Sequence, residues 1–561
     1  MKIFYKIFAI CGLTVFAWAC SEDFLVTPPQ GVLSESNLTG QEGIDAALIS
    51  AYSMLDGYNG SGNGWGAAAS NYAFASVASD DSHKGSEPGD QDDQILLERY
   101  QWFSNNPLLN DKFSAVYEGV RRANETLTLL ASNESLDEGT RNRIMGEATF
   151  LRAHYHMEAW KMWRNVPYFD ENATEFRVPN DQDIFPLIVG DFEQAASLLP
   201  QNQDQIGRVT SGAAYAMLGR LHMLNANLSA AEAAFNEVSG YSLNECFHDM
   251  FSIVGENGPE MIFSVQSSVN DGTGGGENAN HLERLAFAHA GSPYGCCGVN
   301  QPTQSLVNAY LVDDSGLPLM ENTLNDNPSA DMPVDPRLDW TVGRNGVPYL
   351  DQGIHEEDWI RSAALGGQYS PKKFAYADGE GSNVGWSPNL SAVNIPIIRY
   401  ADVLLYQAEI DVNAGRLEDA RAKVNMVRER AANCAQGDLD GDIAVPIDAE
   451  EITWADYRVS PYPGPWTDAV AAREAVRLER RLEFALEGRR LFDLQRYSRI
   501  DGSDYFVRTL TNYLAVESTR RPHLETANNP TMTNLLFPLP ATAILRSRID
   551  GQPTLQQNDG Y

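Results

Sequence analysis

Two stretches of the chain carry the same spacing of small residues, and that repeat narrows the fold before anything else does. Leu218-Gly219 is followed after twelve residues by Ala231 and after four more by Phe235. Ala408 is followed at the same offsets by Ala420 and Val424. In tetratricopeptide-like repeats, small residues at this interval let two antiparallel helices approach, and the larger residue fills the groove between repeats. Ordinary alanine-rich helical hairpins would show the same offsets. Either way the chain is expected to be mainly α, a tetratricopeptide-like helical hairpin scaffold. At 561 residues it is too long for one ordinary core.

Apolar stripes at helical spacing extend the reading. Ile44, Ala47, Leu48, Ala51 and Leu55 share one face. A helix is expected over about 112–130, with Phe113, Val116, Tyr117, Val120, Leu127 and Leu130 as its stripe. Others are expected over 138–163 with a stop near Pro167, over 184–199 ending at Pro200, and after an N-cap at Thr210 or Ser211. Residues 240–395 differ, being rich in Gly, Pro, Asn and Asp with few stripes, and form a loop-rich irregular lobe. An irregular insertion covers 435–468, and one helix returns over 469–499. Residues 78–94, around Ser79, Asp80 and Asp81, are polar and acidic. The division is therefore 41–239, an N-terminal helical part with binding loops; 240–395, the irregular lobe; and 396–561, a C-terminal helical part.

The N-terminus carries its own signal. Lys2 and Lys6 precede an uncharged apolar run, 7–17, too short to span a bilayer. Ala17 and Ala19 before Cys20 make a permissive lipobox. Residues 1–19 are thus expected to be a lipoprotein signal peptide, Cys20 the acylated first residue and 20–40 a lipidated tether. A plain secretory signal is the alternative. The formal charge of −35 repels phosphate backbones and anionic lipid. Nucleic-acid binding is excluded on that ground, and membrane attachment needs an anchor other than a basic patch. Six cysteines in this length do not make a disulfide scaffold.

Five segments together resemble the SusD/RagB family of surface lipoproteins: FSAVYEGVRRANETL (113–127), GEATFLRAHYHMEAWKMWRNVPYF (146–169), PIIRYADVLLYQAEIDVNAGRLEDARAKVNMVRERA (396–431), ERRLEFALEGRRLFDLQRY (479–497) and LLFPLPATAI (535–544). Ser21-Glu22-Asp23 after Cys20 resemble the surface-export signal of Bacteroidetes outer-membrane lipoproteins. The loose lipobox and Leu491, where an aromatic is common, depart from the pattern. The resemblance implies four helical hairpins and a loop-rich face that binds a glycan, or in one branch a peptide. It implies a SusC-like TonB-dependent transporter beneath, with the chain as its lid at the outer membrane, and no catalytic residues.

Several constellations invite chemistry. Glu479, Glu483 and Glu487 share a helix face at a spacing like the carboxyl pair of a retaining glycosidase. Arginines surround them, so ion pairing along the helix is the simpler reading, as are ion pairs for Arg399, Asp402, Arg490 and Asp493. His154 and His156, two apart, point to different sides of a helix and cannot share a metal. Asp438, Asp440 and Asp442 space carboxylates as a calcium loop does. Gly441 and Ala449, however, break the EF-hand pattern, and a polar turn is the alternative. Cys296 and Cys297 are adjacent: a vicinal disulfide, free thiols, or bridges to Cys246 or Cys434 are all open. No other cofactor is expected.

Sugar rings stack on aromatic faces while their hydroxyls bond polar side chains. Trp65, Tyr58, Trp102, Tyr294, Trp340, Tyr349, Trp359 and Trp386 lie outside the helical stripes, in Gly/Asn/Asp-rich surroundings. Of these, Trp65, Trp102, Tyr294, Trp340 and Trp359 are the candidate glycan contacts, on loops within 57–102 and 290–390. The reading is a non-catalytic binder of oligo- or polysaccharide. Peptide capture is the alternative, and a glycoside hydrolase or a ligand-free adaptor the remaining ones.

Overall fold

The computed structural model describes residues 38–58, 64–272, 278–289, 291–320, 323–383 and 390–561. Cys20, its signal and most of the tether, and Trp386, lie outside the described residues. The longer helices and strands, in chain order, are α1 (Gln41–Tyr52), β1 (Ser82–Gly85), α2 (Asp92–Glu98), α3 (Pro107–Ser132), α4 (Glu138–Trp163), α5 (Phe185–Leu198), α6 (Ser211–Leu224) and α7 (Leu228–Asn236). They continue as β2 (Met261–Val265), β3 (Val299–Pro302), β4 (Ile395–Arg399), α8 (Tyr400–Asn413), α9 (Leu417–Ala431), α10 (Ala469–Phe484), α11 (Arg490–Asp501) and α12 (Tyr505–Glu517). Shorter helical turns and two-residue bridges fill the stretches between.

Local chemistry sets where the helices start. Asn106 accepts a hydrogen bond from the Leu108 amide and Pro107 occupies the first turn of α3. Asp137 caps α4 through the Thr140 amide, and Thr210 caps α6 through Ala213. Connections 133–137, 225–227 and 414–416 are short, so the helices they join run antiparallel. α3 packs on α4, α4 on α5, α5 on α6 and α6 on α7; α8 packs on α9 and α10, and α7 meets α8. The small-residue repeat sits at these crossings. Ala231, Ala408, Ala420 and Val424 are buried, and a Cβ on Gly219 would meet the Phe235 ring at 2.4 Å. Phe235 in turn stacks on Tyr406 at 5.5 Å, joining the two repeats.

α4 is enclosed on every side over 146–163. His154 and His156 are therefore both packed, on different sides. His156 Nε2 accepts from the Phe169 amide and its ring lies on Tyr168 at 4.3 Å. Burial pushes both imidazoles down, to about 4 for His154 and about 3 for His156. Trp163 is fully buried and donates to Pro538 O.

The single helix expected over 469–499 is two, α10 and α11. Between them Gly488 stands at φ +67°, and a Cβ there would lie 1.5 Å from Ser70 O. The chain must turn where Gly488 passes against the 70–71 backbone. The acidic stretch around Asp80 is buried. Asp80 pairs with Arg490 at 2.7 Å and Asp81 with Arg481 at 2.8 Å, all at or near full burial.

The acidic triad resolves similarly. Glu479 pairs with Arg337 and Arg428; Glu483 with Arg399, Arg430 and Arg337; Glu487 with Arg399 and Lys373. The partners come from distant segments, not from the neighbouring arginines of the same helix. Burial opposes the charge on Glu483, yet Arg430, Arg399 and Arg337 hold it well below the usual carboxylate range. Arg480 similarly joins Asp402 to Asp493. Such a network fixes register among its segments, and removing one partner strands the others.

Residues 240–395 leave the scaffold and return beside their starting point: β2 and β4 pair antiparallel, Val265 opposite Ile395. β1 pairs antiparallel with β3, Gly85 opposite Val299. Cys246 is bridged to Cys434, just beyond α9, and Cys296 to Cys297, which decides among the pairings left open by the sequence.

Candidate functional site

The lobe has few helical stripes, so large rings supply its core. Tyr294 lies 5.0 Å from Tyr376, 5.4 Å from Phe287 and 5.6 Å from Tyr349, and donates to Tyr376 O. Trp359 packs on Tyr349 at 5.4 Å and on His355 at 5.3 Å. Trp340 lies flat on His248 at 4.4 Å and is 1% exposed. Trp102 stacks on Phe537 at 4.1 Å and donates to Leu97 O. Trp65 is 7% exposed, with the Arg284 guanidinium 5.1 Å above its ring.

The five candidate glycan contacts Trp65, Trp102, Tyr294, Trp340 and Trp359 do not stand open to solvent. Each is buried, and Tyr294 and Trp359 meet within one aromatic layer. The physical reason is area: outside the long helices these rings are the largest apolar surfaces available to fold on.

Tyr58 is the exception. It is 39% exposed and its ring stacks on His281 at 5.0 Å, nearly parallel. Its loop is seated by Gly57, at φ +80°, where a Cβ would lie 2.0 Å from Ala67 O. Asp56 Oδ1 accepts from the Tyr58 amide at 2.7 Å. Burial pushes the Asp56 carboxyl up to about 7, with the Tyr58 amide and Arg122 opposing. Underneath, Glu283 accepts from the Ser70 amide and hydroxyl, pinning the 278–289 segment to the scaffold.

Three loops converge here. Asn280, adjacent to His281, accepts from the Ser391 amide. Asn278 and Ser268 both donate to Asp271 Oδ2, and Asn270 accepts from the Asn383 amide while donating to Gly381 O. Asn270, Asp271, Asn278 and Asn383 are exposed, giving donors and acceptors on the loops joined to the His281 segment.

Enclosed volumes lie elsewhere. A cleft of about 400 Å³ is lined by Asp80, Arg477, Arg481 and Arg490, whose charges are already paired. A groove of about 650 Å³ runs past Tyr215 and Tyr241. Tyr241 bonds Thr210 and packs over Gly212, so its ring is committed to helix packing. The calcium candidate Asp438, Asp440 and Asp442 lies on an exposed turn where Asp438 accepts from the Asp440 amide. The three carboxylates do not converge as a ligand set; among the described residues only His83, Glu98 and His523 do.

Sequence reading found Tyr58 among the loop aromatics but not its prominence, and it missed His281 and Arg284. No spacing signals them, because they meet Tyr58 and Trp65 only through the fold.

Comparison with known proteins follows from this geometry. The SusD family model matches residues 259–561, and a second, described as starch-binding associating with outer membrane, matches 32–223. A SusD-like protein, P38, of Formosa agariphila is 23% identical over 383 residues, 64% of this chain and 67% of that one. A SusD superfamily protein from Bacteroides vulgatus superposes with TM-score 0.68 at 22% identity, over 93% of this chain and 99% of the other. Surface glycan-binding protein A from Bacteroides thetaiotaomicron, solved with laminarihexaose, gives 0.64 at 21% identity, over 92% and 99%.

Proposed function

The chain belongs to the SusD family, and from that premise we propose that it is a non-catalytic surface lipoprotein that captures an oligo- or polysaccharide. It delivers this ligand to a SusC-like TonB-dependent transporter in the outer membrane, to which Cys20 anchors it by acylation. Family membership supports the non-catalytic, glycan-binding part of the reading. The starch-binding description of the matching N-terminal family and the laminarihexaose complex of a similar fold support carbohydrate as the ligand class.

The observation that carries the reading is the Tyr58–His281 platform, an exposed ring at the meeting of three loops edged with Asn and Asp. A flat aromatic face takes the C–H face of a sugar, and the surrounding amides and carboxylate take its hydroxyls. The surface is open, which suits a chain ligand longer than any closed cavity would admit. The Arg284 guanidinium, near Tyr58, lies over the Trp65 ring. Tyr294, Trp340 and Trp359 stiffen the lobe from within, and Trp102 packs in the scaffold against Phe537.

The test is calorimetric titration of laminarihexaose and a panel of other oligosaccharides into parent and Tyr58→Ala. Loss of a stacked anchor at a binding centre should weaken affinity about tenfold or more, roughly 1.4 kcal/mol, with the melting midpoint unchanged. Equal affinity in the variant would overturn the platform. Binding of peptides and of no glycan would favour peptide capture instead.

A further inference from the structure

Away from the loop face, the fold brings together side chains with metal-ligating chemistry from the two ends of the sequence. His83 lies in β1, Glu98 ends α2, and His523 sits in the helical turn Pro522–Leu524. Glu98 Oε1 is 2.8 Å from His83 Nδ1 and 3.1 Å from His523 Nε2, and one atom from each of the three lies within 4.8 Å of the others. Ligands at zinc distances, about 2.0–2.2 Å from the ion, stand roughly 3.3 Å apart in a tetrahedron. Both distances to Glu98 Oε1 are within a few tenths of an ångström to half an ångström of that spacing, and the two histidine nitrogens are no more than 4.8 Å apart.

The surroundings have the form of an outer shell. Glu517, at the end of α12, places Oε1 3.3 Å from His83 Nε2, the ring nitrogen facing away from Glu98. Carboxylates take the second N–H of a metal-bound histidine in this way, fixing its tautomer. The Lys84 amide donates to Glu98 Oε2, turning Oε1 toward the histidines. Arg99 Nε donates to His523 O and holds the turn. Arg520 lies 3.2 Å from Glu517 Oε2, and Arg521 lies 3.5 Å from Oε1, the oxygen that also faces His83.

A purely hydrogen-bonded cluster accounts for these atoms poorly. His83 Nε2, Glu517 Oε1 and both ring nitrogens of His523 are buried without an aligned hydrogen-bond partner, close distances notwithstanding. Buried polar atoms in that state are costly and call for an explanation. His83, Glu98 and Glu517 are almost wholly buried, and His523, on a surface turn, keeps its side chain 7% exposed.

We propose that His83 Nδ1, Glu98 Oε1 and His523 Nε2 bind a divalent transition metal of the zinc class, with Glu517 orienting His83. The site staples β1 and α2 to the segment after α12, with 424 positions separating Arg99 from His523. Two imidazoles and a carboxylate suit zinc-like ions and not calcium, which takes oxygen ligands.

The test uses the purified chain stripped with a chelator, then titrated with Zn²⁺ and, as a spectroscopic probe, Co²⁺. One Zn²⁺ per chain should bind and raise the melting midpoint, and Co²⁺ should give the visible absorption of a low-coordinate nitrogen/oxygen site. His523→Ala, on the surface turn, should abolish the Co²⁺ spectrum and the thermal shift. Glu517→Gln should weaken affinity roughly 10- to 100-fold while keeping the spectrum. A parent with no thermal shift and no Co²⁺ spectrum overturns the site. So does metal binding that His523→Ala leaves intact, since that ion would sit elsewhere.

Discussion

Asp56 couples the segment that carries Tyr58 to pH. Its carboxyl is raised from 3.8 to about 7, chiefly by burial. An acid raised in the folded state holds its proton more tightly folded than unfolded. Its contribution to stability is complete below about pH 4 and is lost as pH climbs through about 7. Asp56→Asn keeps an oxygen for the Tyr58 amide and removes the titration. We expect the variant to gain on the parent by about 1–2 kcal/mol between about pH 5 and about pH 8, allowing for solvent screening. Denaturant titrations at several pH values check this; parallel profiles would show that Asp56 titrates normally. Single residues were also where the sequence was least legible. Trp340 and Tyr58 sit in equally polar, glycine-containing stretches, yet one is sealed against His248 and the other open on His281. Exposure of a loop ring is set by contacts across tens or hundreds of residues, which local composition does not carry.

At the scale of elements, periodicity carries much more. α4 was legible to its ends, since a capping Asp and an Asn-Val-Pro stop bracket it, and the twelve-residue repeat located the crossings of α6 with α7 and α8 with α9. The break between α10 and α11 was hidden, because glycine inside a charged helical pattern shows no sign of what passes beside it. Gly488 meets the Ser70 carbonyl and Gly502, at φ +59°, meets nothing within 4 Å. Substituting alanine separates the two costs. Gly502→Ala should lose only the conformational term, about 1 kcal/mol, and Gly488→Ala roughly 3 kcal/mol or more, as strain and backbone clash combine. Thermal or denaturant unfolding of the pair measures the difference, and equal losses would mean that the 486–489 turn can move off residue 70.

Across the whole molecule the lobe is held at its root by the Cys246–Cys434 bridge and by β2 against β4. The bridge spans 188 residues, so it removes considerable freedom from the unfolded chain, whereas Cys296–Cys297 closes no loop. Cys434→Ser should therefore cost about 2–4 kcal/mol, and reductant should destabilise the parent by a similar amount while changing that variant little. Equal reductant sensitivity in both would assign the effect to the vicinal pair. The same long reach governs how the chain acquires its shape. Phe537 lies on Trp102, Pro538 receives the Trp163 indole and Arg490 closes on Asp80. On a ribosome adding about 5–20 residues per second, the first helices wait tens of seconds for those partners. Throughout that interval α3, α4 and α5 can pack on one another, but Trp102, Trp163 and Asp80 lack their late partners, so the nascent protein is a client for holding chaperones until synthesis is nearly done.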